Sequence, residues 1–378
     1  MGLLHRHILL SVAATCAATV ALFGFMMIAG TALRDLLGYV MAGQLSVWGA
    51  VRLIGLIVPY VAVFALPIGL LTAVLLVLGR MSSQHEVTAM RAAGLSLGYI
   101  ARPIWLVAGA AVVAALALNF YIMPKTRTEY RLTLLEAVRQ NPLNFIVPKT
   151  FVREFPGFVV YVGERSGAEI RDFWLWQLNA EKQVTSMAHA RSGRVDFREA
   201  DNRLILTLRE VTAETRDRER PEDFSRPQPV GNSDSMTVEL KLDGVFKQMK
   251  LNEKIGWLTL DQLLARKAEL VAKGDAAKPA ERREINRVDV TLSSKAAASF
   301  AVLAFALVAV PLGIKVSRKE TSANLGIAVA LVLGYYFLDA LTGLVENKPA
   351  LRPELWVWVP PLVYVAAGVW LFRRVDRA

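Results

Sequence analysis

Six apolar runs organise the chain, three before and three after a long mixed segment. Each run carries no charge over about 18 residues or more, and about 20 apolar residues suffice to cross the ~30 Å hydrocarbon core of a bilayer. The pattern therefore predicts six membrane-spanning helices, the first of which is too long for a cleaved signal-peptide core. The runs cover residues 8–33, 53–79, 103–124, 296–314, 321–338 and 355–372.

Between the third and fourth runs, the hydrophobic pattern changes to the period of two that is typical of β-strands. It is clearest in RLILTLREV (203–211) and SMTVELKL (235–242), while GFVVYVGE (157–164) and RDFWLWQL (171–178) are rich in aromatic and β-branched residues. One apolar face per strand favours an antiparallel sandwich, a curled half-barrel or a jelly roll. Residues 213–234 hold many charges and three Pro, which predicts a long exposed loop.

Helical signals flank these strands. A helix is predicted after Pro124. Thr259 and Gln262 fit a capping box at the start of a second helix, which Gly274 is expected to end. A third helix is predicted to begin at Pro279 and to run into the fourth span.

The predicted fold is therefore a membrane α-helical protein of six transmembrane helices, divided 3 + 3, with an inserted antiparallel β domain that is jelly-roll-like. Residues 1–123 hold spans one to three, and residues 294–378 hold spans four to six. Residues 124–293 form the inserted domain, with its β core at about 150–245 and helices on both sides.

The formal net charge of +11 does not indicate a nucleic-acid partner. Residues 125–294 hold 29 Lys and Arg against 26 Asp and Glu, or +3, so the remaining +8 lies in and around the spans. Cytoplasmic loops of membrane proteins carry an excess of Lys and Arg. Ten of these residues fall in the short segments on the side of the termini and four on the other side. We therefore expect both termini in the cytoplasm and the β domain outside.

The polar stretch MSSQHEVTAM (81–90) between runs two and three begins like a zinc-protease motif. H-E-x-x-H needs a second His one helical turn later, and Ala89 stands at that position. With four His and one Cys in the chain, no ligand set has a usual metal-binding spacing. The sequence also lacks the P-loop and the G-x-S-x-G elbow. We expect no metal, no cofactor and no catalytic residues in this chain.

The same stretch has a helical pattern. Val87, Met90, Gly94 and Leu97 recur at spacings of three and four, which predicts a short cytoplasmic helix over about 82–94 with Gly94 at its C-terminal cap. Two interpretations stay open: a passive interfacial helix, or a helix that docks in a groove of a soluble partner. A passive surface helix usually shows several Lys or Arg, and this one has a single Arg at its centre, which favours docking.

Asp339 is the one clear acid inside a predicted span, near the outer end of span five. Ionisable residues within a membrane are candidates for function, whereas an interfacial Asp that reaches water is the alternative. Pro311 removes a backbone donor at the predicted end of span four. We treat both as candidate gate or interface residues.

Three stretches resemble the lipopolysaccharide-export permease family (LptF/LptG). LGRMSSQHEVTAMRAAGLS (78–96) is similar to the family's L-G-x6-E-[VI]-x-x-M-x-A-x-G-x-S pattern, and AFALVAVPLGIK (304–315) to the P-L-G end of its span four. GTALRDLLG (30–38) resembles the basic exit from its span one, with Arg34 at the basic position. The stretches RDLLG and PLGI resemble the LptF member slightly more.

The resemblance implies a permease of an ABC exporter in the inner membrane of Gram-negative bacteria, with the β domain in the periplasm. The implied partners are a cytoplasmic ATPase dimer, a second homologous permease, a periplasmic bridge protein of similar β fold, and lipopolysaccharide. The helix at 82–94 would be the coupling helix, with Glu86, His85, Met90 and Arg91 toward the ATPase.

The resemblance also implies basic contacts to the phosphorylated sugar head, for which Arg34 and Arg52 are the candidates. Two other functions stay open: a force-transmitting or assembly permease that passes no lipid, and a membrane-bound hydrolase. The 3 + 3 division favours the exporter over the first, and the missing catalytic clusters count against the second.

Overall fold

The structure is a computed structural model. It describes residues 2–33, 36, 37, 40, 46–140, 148–152, 155, 157–179, 181, 183–198, 203–216, 229–241, 255–272, 279–316, 321–345 and 351–377. The chain divides into two compact units. The membrane unit comprises residues 1–34, 52–130 and 254–378, and the β unit comprises residues 35–51 and 131–253.

The chain begins with a helical part that ends at Gln140. Its helices are α1 (Leu3–Ile28), α2 (Val47–Ser83), α3 (Glu86–Ala92), α4 (Leu97–Ala117) and α5 (Met123–Gln140). A π-helical turn, Leu118–Ile122, joins α4 to α5, so Pro124 lies within a continuous helical segment and does not begin a new one.

The last third is helical again. A 3₁₀ turn, Ile255–Trp257, precedes α6 (Leu260–Ala272), α7 (Pro279–Val316), α8 (Thr321–Gly343), α9 (Pro353–Trp356) and α10 (Val359–Asp376). Six helical segments are long and apolar enough to cross a membrane, which confirms the six predicted spans. They are Leu3–Ile28, Val47–Ser83, Leu97–Thr133, Glu281–Lys315, Leu325–Gly343 and Pro353–Asp376.

Spans two and four form the centre of the membrane unit. In the most apolar window of span two 72% of the residues are buried, and in that of span four 67%. The corresponding shares for spans one, five and six are 22%, 17% and 22%. In an apolar solvent, helices associate through close packing and not through hydrophobic burial. Spans one, five and six therefore present most of their apolar surface to lipid or to other proteins.

Prolines do not end these helices. Pro59 and Pro67 lie inside α2, and α7 continues past Pro311 to Val316. Span four ends close to the predicted position, and Pro311 lies inside its helix. A proline removes one backbone donor, but inside a bundle the remaining helical hydrogen bonds and the packed neighbours keep the helix intact.

The predicted capping box at the start of α6 is confirmed. The Thr259 N–H donates to Gln262 Oε1 at 2.9 Å, and the Gln262 N–H donates to Thr259 Oγ1 at 3.4 Å. The predicted stop at Gly274 lies outside the described residues, while α7 begins at Pro279 as predicted.

Ion pairs join α6 to the first turns of α7. Arg266 Nε donates to Glu284 Oε1 at 2.9 Å, and Lys267 Nζ lies 2.6 Å from Asp289 Oδ1. The hydrogen bond to Glu284 is the largest cause that raises the pKa of Arg266, with a smaller contribution from Glu269. These pairs fix α6 against the segment that continues into span four.

The β unit contains one six-stranded antiparallel sheet with the strands paired in chain order. The strands are β1 (Phe151–Val152), β2 (Phe158–Ser166), β3 (Glu169–Leu178), β4 (Val184–Arg198), β5 (Arg203–Thr215) and β6 (Val230–Lys241). The inserted antiparallel domain is confirmed, and the described strands follow one another as a meander, without the crossing connections of a Greek key.

The four predicted strands are present as β2, β3, β5 and β6. The longest strand, β4, has 15 residues and was not predicted. The predicted loop at 213–234 is shorter than expected, because β5 extends to Thr215 and β6 begins at Val230. Residues 217–228 of that loop lie outside the described residues.

The sheet has a crease, by which we mean the row of residues where the alternation of inward and outward side chains shifts by one. Asp172 on β3 and Glu210 on β5 both have left-handed backbone conformations, with φ of 52° and 54°. On β5, Leu208 and Val211 are both buried although they are three residues apart, and strict alternation would place them on opposite faces. The left-handed residue shifts the alternation by one, so both halves of the strand direct apolar side chains into one core.

We predict opposite effects of two substitutions at the crease. Glu210→Gly should raise the free energy of unfolding of the β unit and Glu210→Val should lower it, because a left-handed φ costs a non-glycine residue about 1–2 kcal/mol and a β-branched residue more. Both variants lose the exposed ion pair to Arg191, so their comparison isolates the backbone. Proteolysis of the full chain during thermal unfolding measures the difference, and equal stability of the two variants would contradict the interpretation.

Candidate functional site

The predicted docking helix is the two-turn helix α3, Glu86–Ala92. It is shorter than the predicted 82–94, because Ser82 and Ser83 complete α2 and His85 takes a left-handed conformation, with φ of 60°. A residue in that conformation cannot continue a right-handed helix, so α2 and α3 are separate helices joined by a tight turn. We call residues 82–96 the connecting segment.

The C-terminal cap of α3 is as predicted. Gly94 has φ of 83°, which glycine adopts without steric cost. Its N–H donates to the Arg91 carbonyl at 2.9 Å, and the Leu95 N–H donates to the Met90 carbonyl at 3.1 Å. These two bonds form a Schellman motif, which gives a seven-residue helix a fixed end.

One face of α3 packs on the membrane unit. Val87 is 2% exposed and belongs to the main core, and Met90 is half-buried against the same core. Leu97, the last residue of the predicted stripe, is also buried but lies on α4. The apolar pattern in the sequence therefore marks a surface made by two helices.

Polar contacts fix the connecting segment to two other helices. Ser82 Oγ donates to the Ile314 carbonyl on α7 at 2.8 Å. The Arg91 guanidinium donates to the Val375 and Asp376 carbonyls at the end of α10, both at 3.2 Å. A displacement of this segment would therefore act directly on spans four and six.

The side chains at the N-terminal end of α3 are exposed. Glu86 and His85 are exposed, and in the described part of the chain neither side chain has a hydrogen bond or an ion pair. Glu86 lies in the first turn, where a negative charge is favoured by the helix dipole. An exposed carboxylate in a fixed position is available to a partner.

The two stretches that carry the closest family resemblance lie side by side. A Cβ added to Gly313 on α7 would lie 3.0 Å from Leu78 Cβ on α2, so a larger residue at 313 would require a small shift of span two or span four. The contact lies next to the Ser82–Ile314 hydrogen bond.

Of the two predicted basic residues, one lies among the described residues. Arg34 lies outside the described residues. Arg52 is exposed on the second turn of α2, and no hydrogen bond or ion pair of its side chain occurs among the described residues. Their contact with a phosphorylated head remains a prediction.

Asp339 lies near the C-terminal end of α8 and lines two adjoining cavities within the membrane unit. Pro311 is buried in α7 and lines neither cavity. The two candidate gate residues are thus in different environments, and only Asp339 is accessible to a ligand.

A buried polar cluster was missed in the sequence. Lys295 on α7 is 6% exposed and donates to the Leu258 carbonyl at 2.8 Å. Ser299 Oγ donates to the Lys295 carbonyl at 2.8 Å and accepts from Asn119 Nδ2 at 3.0 Å. The signal in the sequence is a Lys directly before the fourth apolar run.

The fold and the connecting segment define a multi-span membrane protein whose spans three and four are separated by an antiparallel sheet domain. The model of the family "Lipopolysaccharide export system permease LptF/LptG" matches residues 6–374. The chain therefore belongs to the LptF/LptG family, as the resemblance predicted.

Curated relatives carry the name of one family member. The chain is 23% identical over 341 residues to the lipopolysaccharide export system permease protein LptF of Escherichia coli strain K12, and the match covers 88% of this chain and 85% of that protein. The protein of the same name from Shigella flexneri matches with the same identity and coverage.

We predict that Arg91 stabilises the end of α10. Arg91→Ala should lower the free energy of unfolding of the membrane unit by about 1–3 kcal/mol, because the Val375 and Asp376 carbonyls lose a charged donor. Arg91→Lys should restore less than half of this loss, since an ammonium group cannot reproduce the two-pronged geometry of guanidinium. Thermal unfolding in detergent measures both variants.

Glu86→Ala is the control for Arg91, because Glu86 is exposed on the same helix without a described partner. It should leave the melting temperature unchanged. Equal stability of the Arg91→Ala and Glu86→Ala variants would show that the Arg91 contacts do not stabilise the protein.

Proposed function

We propose that this chain is a permease subunit of an ATP-driven exporter that extracts lipopolysaccharide from the inner membrane and passes it to a periplasmic bridge. The partners in this proposal are a cytoplasmic ATPase dimer, a second homologous permease and a bridge protein of similar β fold. The family membership and the names of the relatives support the lipid and the process. ATP hydrolysis is placed on the separate subunit, because the sequence has no P-loop.

The observation that carries the proposal is the construction of the connecting segment. It presents Glu86 and His85 outward and is hydrogen-bonded to spans four and six on its inner side. A seven-residue helix has little stability of its own, so its position is set by the core it packs on. Movement of a docked ATPase would therefore displace helix ends of the bundle, and not only a surface loop.

The orientation in this proposal follows from charge. Lys and Arg are concentrated in the short segments on the side of the termini, which favours a cytoplasmic location for that side. The connecting segment then lies in the cytoplasm, where an ATPase can reach it, and the β unit lies in the periplasm.

The β unit offers an apolar surface to acyl chains in this proposal. Leu206 and Leu208 are fully buried in its core, so a lipid reaches them only if the sheet opens. Val238 on the last strand packs against this core and is half-buried. A lipid would therefore contact Val238 before the central leucines.

We predict that Glu86 couples ATP hydrolysis to transport. In the assembled complex, Glu86→Ala should lower lipid-dependent ATP hydrolysis and lipid release about tenfold, the loss expected for one hydrogen bond to a charged group. Thr88→Ala, an exposed neighbour on the same helix, is the control and should retain both activities. An unchanged hydrolysis rate in a complex that still contains all subunits would refute the docking role.

We also predict that the inner face of β6 contacts the transported lipid. A photo-crosslinking residue at Val238 should capture lipopolysaccharide in cells, whereas one at Thr237 should not, because neighbouring residues of a strand point to opposite faces. Thr237 is exposed and Val238 is not. Equal capture at both positions, or none at Val238, would remove the β unit from the lipid path.

A further inference from the structure

Two adjoining cavities in the membrane unit differ in chemistry. One lies among spans two, four and five and is lined mainly by alanine, valine and aromatic side chains. The other adds Thr342 and Pro353. Ser294, Asp339 and Val357 line both cavities. The pair thus combines an apolar space with a polar space, and a carboxylate lies at their junction.

The Asp339 carboxylate has no described protein partner. Its backbone carbonyl accepts a hydrogen bond from Thr342 Oγ1 at 2.7 Å, but no hydrogen bond or ion pair of its side chain occurs within the described ranges. The Ser294 hydroxyl is in the same situation. The Asp339 side chain is exposed, so its carboxylate is available to a ligand, and a positively charged group pairs with a carboxylate through charge-assisted hydrogen bonds.

The cavity that Val63 and Pro67 line also offers a backbone hydrogen-bond acceptor from span two. Pro67 has no N–H, so it cannot donate to the Val63 carbonyl one turn earlier in α2. Both residues line the cavity. The carbonyl therefore lacks its usual helical donor at a place that faces the same space as Asp339.

Aromatic rings complete the surroundings. The cavity that Asp339 lines is also lined by four aromatic residues, Phe64, Phe305, Tyr335 and Tyr336. Their positions are fixed by mutual packing: the Phe305 and Tyr335 ring centroids are 4.9 Å apart, and those of Tyr335 and Tyr336 are 5.7 Å apart at 88°. Aromatic faces attract cations, and a group of them is a known way to bind ammonium groups.

This donor set distinguishes between possible cations. Mg²⁺ and Ca²⁺ take six or more oxygen ligands, and within the described part of the chain no group of three or more His, Cys, Asp and Glu residues could hold a metal ion. An ammonium group needs only one carboxylate, a few neutral acceptors and aromatic faces. The apolar space beside it suits a hydrocarbon chain.

We infer that the paired cavities at Asp339 bind an amphiphile with a primary ammonium headgroup, with the ammonium on the Asp339 carboxylate and a hydrocarbon chain in the apolar cavity. Such a headgroup can belong to an aminophospholipid of the bilayer or to an amine-bearing glycolipid that is itself transported. The inference depends only on the helix bundle and not on the proposed export function.

The test uses the full chain in nanodiscs of equimolar phosphatidylethanolamine and phosphatidylglycerol, with retained lipids identified by native mass spectrometry. The wild-type chain should retain phosphatidylethanolamine in preference to phosphatidylglycerol. Asp339→Asn should reduce this preference about tenfold, the effect expected from loss of one charged hydrogen bond, and Asp339→Glu should retain much of it. Asp261→Asn, an exposed carboxylate on α6, is the control and should behave as wild type.

A change of ligand provides a test without any substitution. N-acylated phosphatidylethanolamine has lost its positive charge and should show no preference over phosphatidylglycerol. A parallel sample in phosphatidylglycerol alone, with a glycolipid that does or does not carry a free amine, identifies the source of the headgroup. Selective retention of either amine-bearing lipid supports the site.

Equal retention of charged and N-acylated lipids by the wild-type chain would overturn the inference. So would a preference that Asp339→Asn leaves unchanged in a protein of unaltered melting temperature. Because retention is measured without ATPase or bridge, failure of the export proposal would leave this result unaffected, and the two can be judged separately.

Discussion

The absence of water from the membrane core is the constraint on which the other features depend. A backbone in hydrocarbon must satisfy its own hydrogen bonds, which makes every span a helix and leaves free carbonyls only at helix ends and next to prolines. The polar side chains of this protein are directed to such carbonyls: Ser82 to Ile314, Arg91 to Asp376 and Lys295 to Leu258. Other polar contacts between helices lie within the spans, from Thr19 to the Gly69 carbonyl and from Tyr364 to the Leu331 carbonyl.

The connecting segment follows from this arrangement. A seven-residue helix would not form alone, but α3 has a Schellman end, an apolar face on the core and hydrogen bonds from Arg91 to α10. Just before it, Ser82 at the end of α2 bonds to α7. What remains outward is a carboxylate and an imidazole in a fixed place. A surface built in this way can be rigid although it is short, as the proposed docking of an ATPase requires.

The β unit differs from the membrane unit, because the buried apolar side chains of its sheet form one core. Left-handed residues at Asp172 and Glu210 keep the apolar side chains of long strands in one core. The Asp172 carboxylate accepts a hydrogen bond from Trp174 Nε1 at 2.9 Å and lies 3.0 Å from His189 Nε2. Local hydrogen bonds of this kind are one reason that Asp tolerates a left-handed conformation.

The sequence by itself determined the six spans, the position of the β insert and the short helix near Glu86, because hydrophobic periodicity follows directly from the solvent that each face meets. It did not predict β4, whose alternation is broken by small and charged residues such as Gly193; there the Thr207 carbonyl leaves no room for a Cβ. Only the tertiary structure decided that Arg91 holds α10, that Lys295 is buried and that Asp339 borders two cavities. These properties depend on neighbours distant in the chain, which no local pattern of residues specifies.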